Sequence, residues 1–269
     1  MAGAFLAVAD DATATWWNPA GLAAGPFVSG VVEHSQARGS DDKAFGVAFA
    51  IPSLGLSYYR SPFGETASAG STESLTGNRQ DGGTTGTRLP THVLSQFGAT
   101  VGQSLGDHLV LGSTLKLVRA ERMTGDFDLG AMATFGAARL AVVVKNVLAA
   151  DVTADGRSLE RQARVGGAYM LEPRGSLALV VAVDADLTRT LTAIGDERRI
   201  TGGLELLGLG SRLSVRGGVG ANTAGSVRPS VSAGVSVALP KKGLNADAQI
   251  TQGGDEALKG WGIGLRVTF

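Results

Sequence analysis

The sequence predicts an all-β protein, an antiparallel transmembrane β-barrel of about fourteen strands closed by a short N-terminal helical hatch. Three observations carry that reading. Apolar residues alternate with small or polar ones at a period of two through most of the chain after position 26. The alternating segments approach the ~10 residues that a tilted membrane-spanning strand needs, with short turns at one end and longer polar connections at the other. The stretch before them, by contrast, carries paired acids, paired tryptophans and an Asn-Pro step.

That first element is "ADDATATWWNPAGLA", residues 9–23. Asp10 or Asp11 can cap a short helix over residues 12–17, which must end where Asn18 precedes a proline and is pushed out of the α region. Asn18 can cap a second turn, with Pro19 at its first position, Ala20 within it and Gly21 closing it. Trp16, Trp17 and Leu22 carry too much apolar surface for a free tail, and a barrel lumen is the nearest surface to bury them. Residues 1–25 are therefore assigned to a hatch and 26–269 to the barrel. The competing reading is an N-terminal helix docked on the outside of a domain.

The strands follow in order at 27–36, 43–51, 54–61, 91–104, 108–120, 126–135, 139–148, 161–171, 176–187, 198–207, 212–220, 227–239, 244–251 and 259–269. The last is the clearest. Trp261, Ile263, Leu265, Val267 and Phe269 alternate with Gly260, Gly262, Gly264, Arg266 and Thr268. Short connections hold Pro52-Ser53, Gly106-Asp107, Gly136-Ala137, Glu172 to Gly175, Gly208 to Gly210 and Pro240 to Gly243, whereas Phe63 to Arg88 is long and rich in Gly, Ser and Thr.

The second face of these strands decides between a barrel and a soluble sandwich. A sandwich turns that face to water and fills it with Lys, Glu and Thr. Here it is mostly Gly, Ser and Ala, in a chain with 40 glycines. Its isolated charges come in both signs: Lys116, Arg164, Arg216 and Arg266 against Asp128, Asp184, Asp186, Glu205 and Asp247. A closed lumen can pair them. Aromatic residues are only 6% of the chain, so interfacial girdles must be thin.

Other classes are disfavoured. Charge is balanced at 24 basic and 24 acidic residues, with no basic footprint for nucleic acid. There is no cysteine for a disulfide framework or a thiolate zinc site. The longest apolar run, from Ala137 to Ala150, is interrupted by Arg139, Lys145 and Asn146, so no spanning helix is expected. Met1 is followed by Gly3, Phe5 and the acidic pair without a basic or apolar leader, so export implies that a signal peptide is absent from this sequence. His34, His92 and His108 lack metal-ligand spacing. "GQSLG" spells the G-x-S-x-G nucleophile pattern around Ser104, but a strand rather than a helix follows it. An Asp10–Asp11 dyad is better read as serving a helix terminus. Neither an enzyme nor a cofactor is expected.

The run "GAFLAVADDATATWWNPAGLA", residues 3–23, resembles the N-terminal hatch of the FadL-type outer-membrane transport proteins. Asp10, Asp11, Trp17, Asn18, Pro19, Ala20, Gly21 and Leu22 fall on that family's pattern. The C-terminal strand ending at Phe269 is similar to an outer-membrane assembly signal. The resemblance implies a bacterial outer-membrane location, passive uptake of small hydrophobic compounds, and sideways exit at a kink in the third strand, here Leu54 to Arg60 before Pro62. It also implies contacts with outer-membrane lipid and with the assembly machinery. PorV-like relatives share the hatch pattern and imply the alternative, a secretion or surface-assembly component whose partner is a secreted protein.

Overall fold

In the computed structural model, residues 1–37, 43–63, 92–153, 158–192, 195–240, 243–254 and 258–269 are described. Most of the long Phe63 to Arg88 connection and the Lys241-Lys242 part of one short turn lie outside them. The chain opens with a one-turn helix, α1 (Ala14–Trp17), and a 3-10 segment (Pro19–Ala24). Then come β1 (Ser29–Ala37), β2 (Lys43–Ile51), β3 (Leu54–Phe63), β4 (His92–Leu105), β5 (Leu109–Arg119), β6 (Met123–Phe135), β7 (Ala138–Lys145) and β8 (Gln162–Arg174). The second half holds β9 (Leu177–Asp186), β10 (Thr190–Thr192), β11 (Gly195–Glu197), β12 (Arg199–Gly208), β13 (Leu213–Asn222), β14 (Ser230–Ala238), β15 (Leu244–Gly253) and β16 (Gly260–Thr268).

Fourteen of these strands form one closed antiparallel barrel; β10 and β11 make a separate small hairpin on the β9–β12 connection. Each barrel strand pairs with its sequence neighbour, apart from β9 with β12, and β1 with β16 closes the ring from Ser29↔Thr268 to Ala37↔Gly260. Closure leaves no open sheet edge. Gly136 and Gly175 open two-residue turns with φ of 59° and 68°, backbone that costs glycine nothing.

The period of two becomes two faces. Leu56 and Leu115 are 64% and 67% exposed, and with Phe49, Val219 and Ile263 they turn outward. The intervening positions turn in, so the apolar side faces away from the interior, the reverse of a soluble barrel. The third strand differs from the kinked exit that the family resemblance implies. β3 is paired from Leu54↔Ile51 to Arg60↔Phe45 on one side and from Leu54↔Val101 to Phe63↔His92 on the other, so the wall there has no break. The barrel's register shift lies instead between Leu171 and Arg174 of β8.

Candidate functional site

The N-terminal segment lies inside the ring. Met1, Ala4, Leu6, Ala9, Trp16, Ala20 and Leu22 are all buried. The helix is shorter than residues 12–17, and neither acid caps it: Thr13 occupies the cap position, and its hydroxyl donates to Asp11 Oδ1 rather than capping the helix. The wall guanidiniums claim the carboxylates instead. Asp10 pairs with Arg139 at 3.0 Å and Asp11 with Arg266 at 2.9 Å, while Asp11 Oδ1 braces the preceding turn by accepting the Thr13 N–H. Asn18 does cap the next turn, its Oδ1 accepting the Ala20 N–H at 3.2 Å, and its amide donates to the Leu6 and Ala131 carbonyls. Gly21 does not close that turn, which runs on to Ala24 with Gly25 after it. Gly21 is needed because a Cβ would strike the Ala9 carbonyl.

Inward glycines make the room. A side chain at Gly46 would meet Trp16, one at Gly55 would meet Leu22 and Thr15, and one at Gly112 or Gly130 would run into Pro19 and its neighbours. Across the lumen, Gly203 and Gly218 accept the backbone of Met1 and Ala2. Polar wall groups then pin the segment. Asp184 Oδ2 accepts the Phe5 and Leu6 N–H groups, each at 2.9 Å, Ser29 Oγ accepts the Ala12 N–H, and Lys145 Nζ donates to the Trp16 carbonyl. Trp16 packs against Tyr59 with ring centroids 5.7 Å apart, and Trp17 against Phe5 at 5.3 Å.

The charges singled out in the sequence all project from the inner face, in two groups. Lys116 and Asp128 pair at 2.6 Å under the mouth opposite the short turns, and Arg164 pairs with Asp186 at 2.7 Å. On the other wall Asp247 is a hub, holding Arg216 at 2.7 Å and Arg266 at 3.2 Å and accepting from Ser236, while Glu205 lies 3.6 Å from Arg216. Asp184 departs from the ion-pair expectation, since its Oδ2 receives hatch backbone. Sequence reasoning missed Lys145, Arg139 and Glu33. All three share the inward parity of their strands, the signal that could have found them.

Two of the described connections pack at the mouth opposite the short turns. The β7–β8 segment folds inward, so that Val152 and Leu159 bury against Leu94 and Val118. It is held by Asn146, whose N–H donates to Asp128 and whose Oδ1 accepts from Lys116. Beside it, Asn222 donates to the carbonyls of Asp196, Ala224 and Ser226, tying the β10–β11 hairpin to the β13–β14 loop. Burial holds the Glu197 carboxyl of that hairpin above its usual range, against the pull of Arg199 and Arg228.

Between the hatch and the inner face of β7–β9, β12–β16 and β1 lies a cavity of about 590 Å³. Hatch residues Phe5, Val8 and Trp16 line it, with Glu33, Arg216, Asp247 and Arg266 from the wall. It reaches the short-turn rim at Pro26, Ala137 and Thr268. Trp261, Ile263 and Leu265 point outward from β16, and Phe269 is 68% exposed with its backbone doubly bonded to Val28. Ser104 sits in β4 opposite Val110, and His108 hydrogen-bonds the Thr134 carbonyl through Nδ1. Among the described residues no cluster of His, Asp and Glu is placed to hold a metal.

No protein-family model matches the chain, and no characterised protein matches it in sequence. Solved structures do match in shape. The CymD monoaromatic hydrocarbon channel aligns over 98% of this chain and 94% of its own at a TM-score of 0.55 and 10% identity. The Ralstonia pickettii toluene transporter TbuX aligns over 95% and 93% at 0.53 and 11%. The Acinetobacter baumannii outer membrane protein Omp33 aligns over 90% and 96% at 0.52 and 8%. At these identities the likeness is one of fold: the chain is built as bacterial outer-membrane barrels are.

Proposed function

We infer that the protein is a hatch-closed barrel of the bacterial outer membrane, of FadL type, that takes up small hydrophobic compounds passively. The observation that carries this reading is the cavity of about 590 Å³ shared by hatch and wall, a size that suits a small ligand. Two structures of similar fold, a monoaromatic hydrocarbon channel and a toluene transporter, support the same substrate class. The outward apolar face suits lipid, and the Trp261 to Phe269 strand is the segment that the assembly machinery would engage. A second reading has its own observation. The Asp10–Arg139 and Asp11–Arg266 pairs lock the hatch to the wall, as a PorV-like component that binds a secreted protein and moves no solute would be built.

Uptake separates the two. In cells whose lipopolysaccharide outer membrane contains the intact protein, uptake of N-phenyl-1-naphthylamine should accelerate over cells without it. Liposomes carrying the chain lacking residues 1–25 should in addition swell in small sugars, because the strands keep their own hydrogen bonds. No acceleration by the intact protein sinks the uptake reading in favour of the scaffold.

A further inference from the structure

We propose that the outer wall of β2 to β5 is a docking site for the phosphorylated headgroup of lipopolysaccharide, held by Lys43, Arg60 and Arg119 with its acyl chains on the aromatic surface beneath them. The proposal rests on the outer-membrane reading for the presence of that glycolipid, and it is independent of what the lumen carries.

Parity and register define the site. Lys43, Arg60 and Arg119 are exposed and share the outward parity of Phe45, Leu56 and Leu117 on their strands. Arg60 pairs with Ser95 and Ser95 with Arg119, so the two guanidiniums leave one row two strand spacings, about 10 Å, apart. Lys43 lies one outward step beyond Phe45, the partner of Arg60 on β2. All three belong to the end of the barrel opposite the short turns: Lys43 opens β2, Arg119 closes β5, and Arg60 is the outward position before Pro62. Below them the same face is apolar, with Phe49 and Ile51 on β2, Leu54 and Leu56 on β3, and Leu115 and Leu117 on β5.

Charge then selects the occupant. Among the described side chains at outward positions of the barrel strands, Lys43, Arg60 and Arg119 are the only ones with a formal charge, and all three are positive. A cation on the lipid-facing wall is costly at the bilayer midplane and nearly free at an interface, so their gathering on neighbouring strands marks the headgroup level there. Their chemistry is also unspent. Inside the barrel, Lys116, Arg139, Arg164, Arg216 and Arg266 each hold a carboxylate, whereas these three have no ion pair among the described residues. Glu121 of the nearby β5–β6 turn is already engaged. A second observation supplies the apolar half. Tyr58 and Phe97, paired across β3 and β4 just below Arg60 and Ser95, pack with ring centroids 4.8 Å apart, and Phe45 beside them is exposed. Aromatic rings at that level are interfacial anchors, gathered here in a chain with few of them. Guanidiniums take phosphate oxygens two at a time, and a phosphomonoester carries nearly two charges where a phospholipid diester carries one. The diphosphorylated, many-chained lipid A end of lipopolysaccharide therefore matches three unpaired cations above an apolar wall, and a phospholipid matches them less well.

The test titrates three lipids, diphosphoryl lipid A, monophosphoryl lipid A and phosphatidylglycerol, into the full chain in detergent and counts the molecules retained by native mass spectrometry. Diphosphoryl lipid A should half-saturate the protein at a concentration at least about tenfold below phosphatidylglycerol, with the monophosphoryl form between them. The double change Arg60→Gln with Arg119→Gln should erase that preference while the barrel keeps its heat-modifiable mobility. Arg212→Gln, an exposed change in the β12–β13 turn at the opposite rim, should leave it intact. Equal half-saturation by the three lipids, a folded double variant with unchanged preference, or an equal loss in Arg212→Gln overturns the proposal. If the double variant does not fold, the comparison of the three lipids on the unaltered chain decides. Membrane fractionation of the producing cells separates the site from the reading beneath it: a protein found in the outer membrane that does not prefer lipid A sinks the site alone, and a protein absent from that membrane sinks both.

Discussion

Single residues show how closely hatch and wall are fitted. Gly112 faces the Pro19–Ala20 backbone, whereas Gly217 has open space where a Cβ would stand. Gly112→Ala should therefore destabilise hatch docking by about 1–3 kcal/mol, since the obstacle is backbone rather than a movable side-chain tip, while Gly217→Ala should stay within about 0.5 kcal/mol. Limited proteolysis of the hatch and thermal unfolding in detergent read both. A Gly112→Ala protein with a protected hatch and an unchanged melting point would contradict the fit. The lumen pairs make a second prediction at this scale. Lys116 and Asp128 are nearly inaccessible, so Lys116→Ala strands a carboxylate and should cost about 3–5 kcal/mol, and changing both residues to Met and Leu should recover much of the loss. A neutral Lys116→Ala would mean that water reaches Asp128.

Among the elements, the strands were the most legible part, because alternation fixes both their existence and their faces. The β2 interval of 43–51 coincides with Lys43–Ile51, and the other barrel strands shift by a few residues at their ends. The β10–β11 hairpin escaped because three-residue strands carry no period. The inward fold of the β7–β8 connection escaped because Val152 and Leu159 are lone apolar residues in a polar stretch, and their partners Leu94 and Val118 are remote in sequence. The hatch was legible as an element, yet its shape was misjudged: local rules for a capped helix gave way to distant guanidiniums that no local pattern reveals. The closing strand offers its own prediction. Phe269 joins Val28 through two backbone bonds at the β1–β16 seam, so deleting it should lower the folded, heat-modifiable fraction in the outer membrane while synthesis continues. Normal folded yield would show that closure does not need the terminal residue.

At the scale of the whole molecule, the barrel and its contents are held by different forces. The ring is a continuous ladder of backbone bonds, whereas the hatch is kept by a handful of ion pairs, glycine sockets and side-chain bonds. Yet the two are joined at one place. Ser29, the first residue of β1, bonds to Ala12, and Arg266 of β16 grips Asp11, so both strands of the seam hold the same turn of the hatch. The closing seam of the ring is therefore also an anchor point of its contents, so a change that loosens the Asp11–Ala12 turn acts on the lumen and on the β1–β16 junction together.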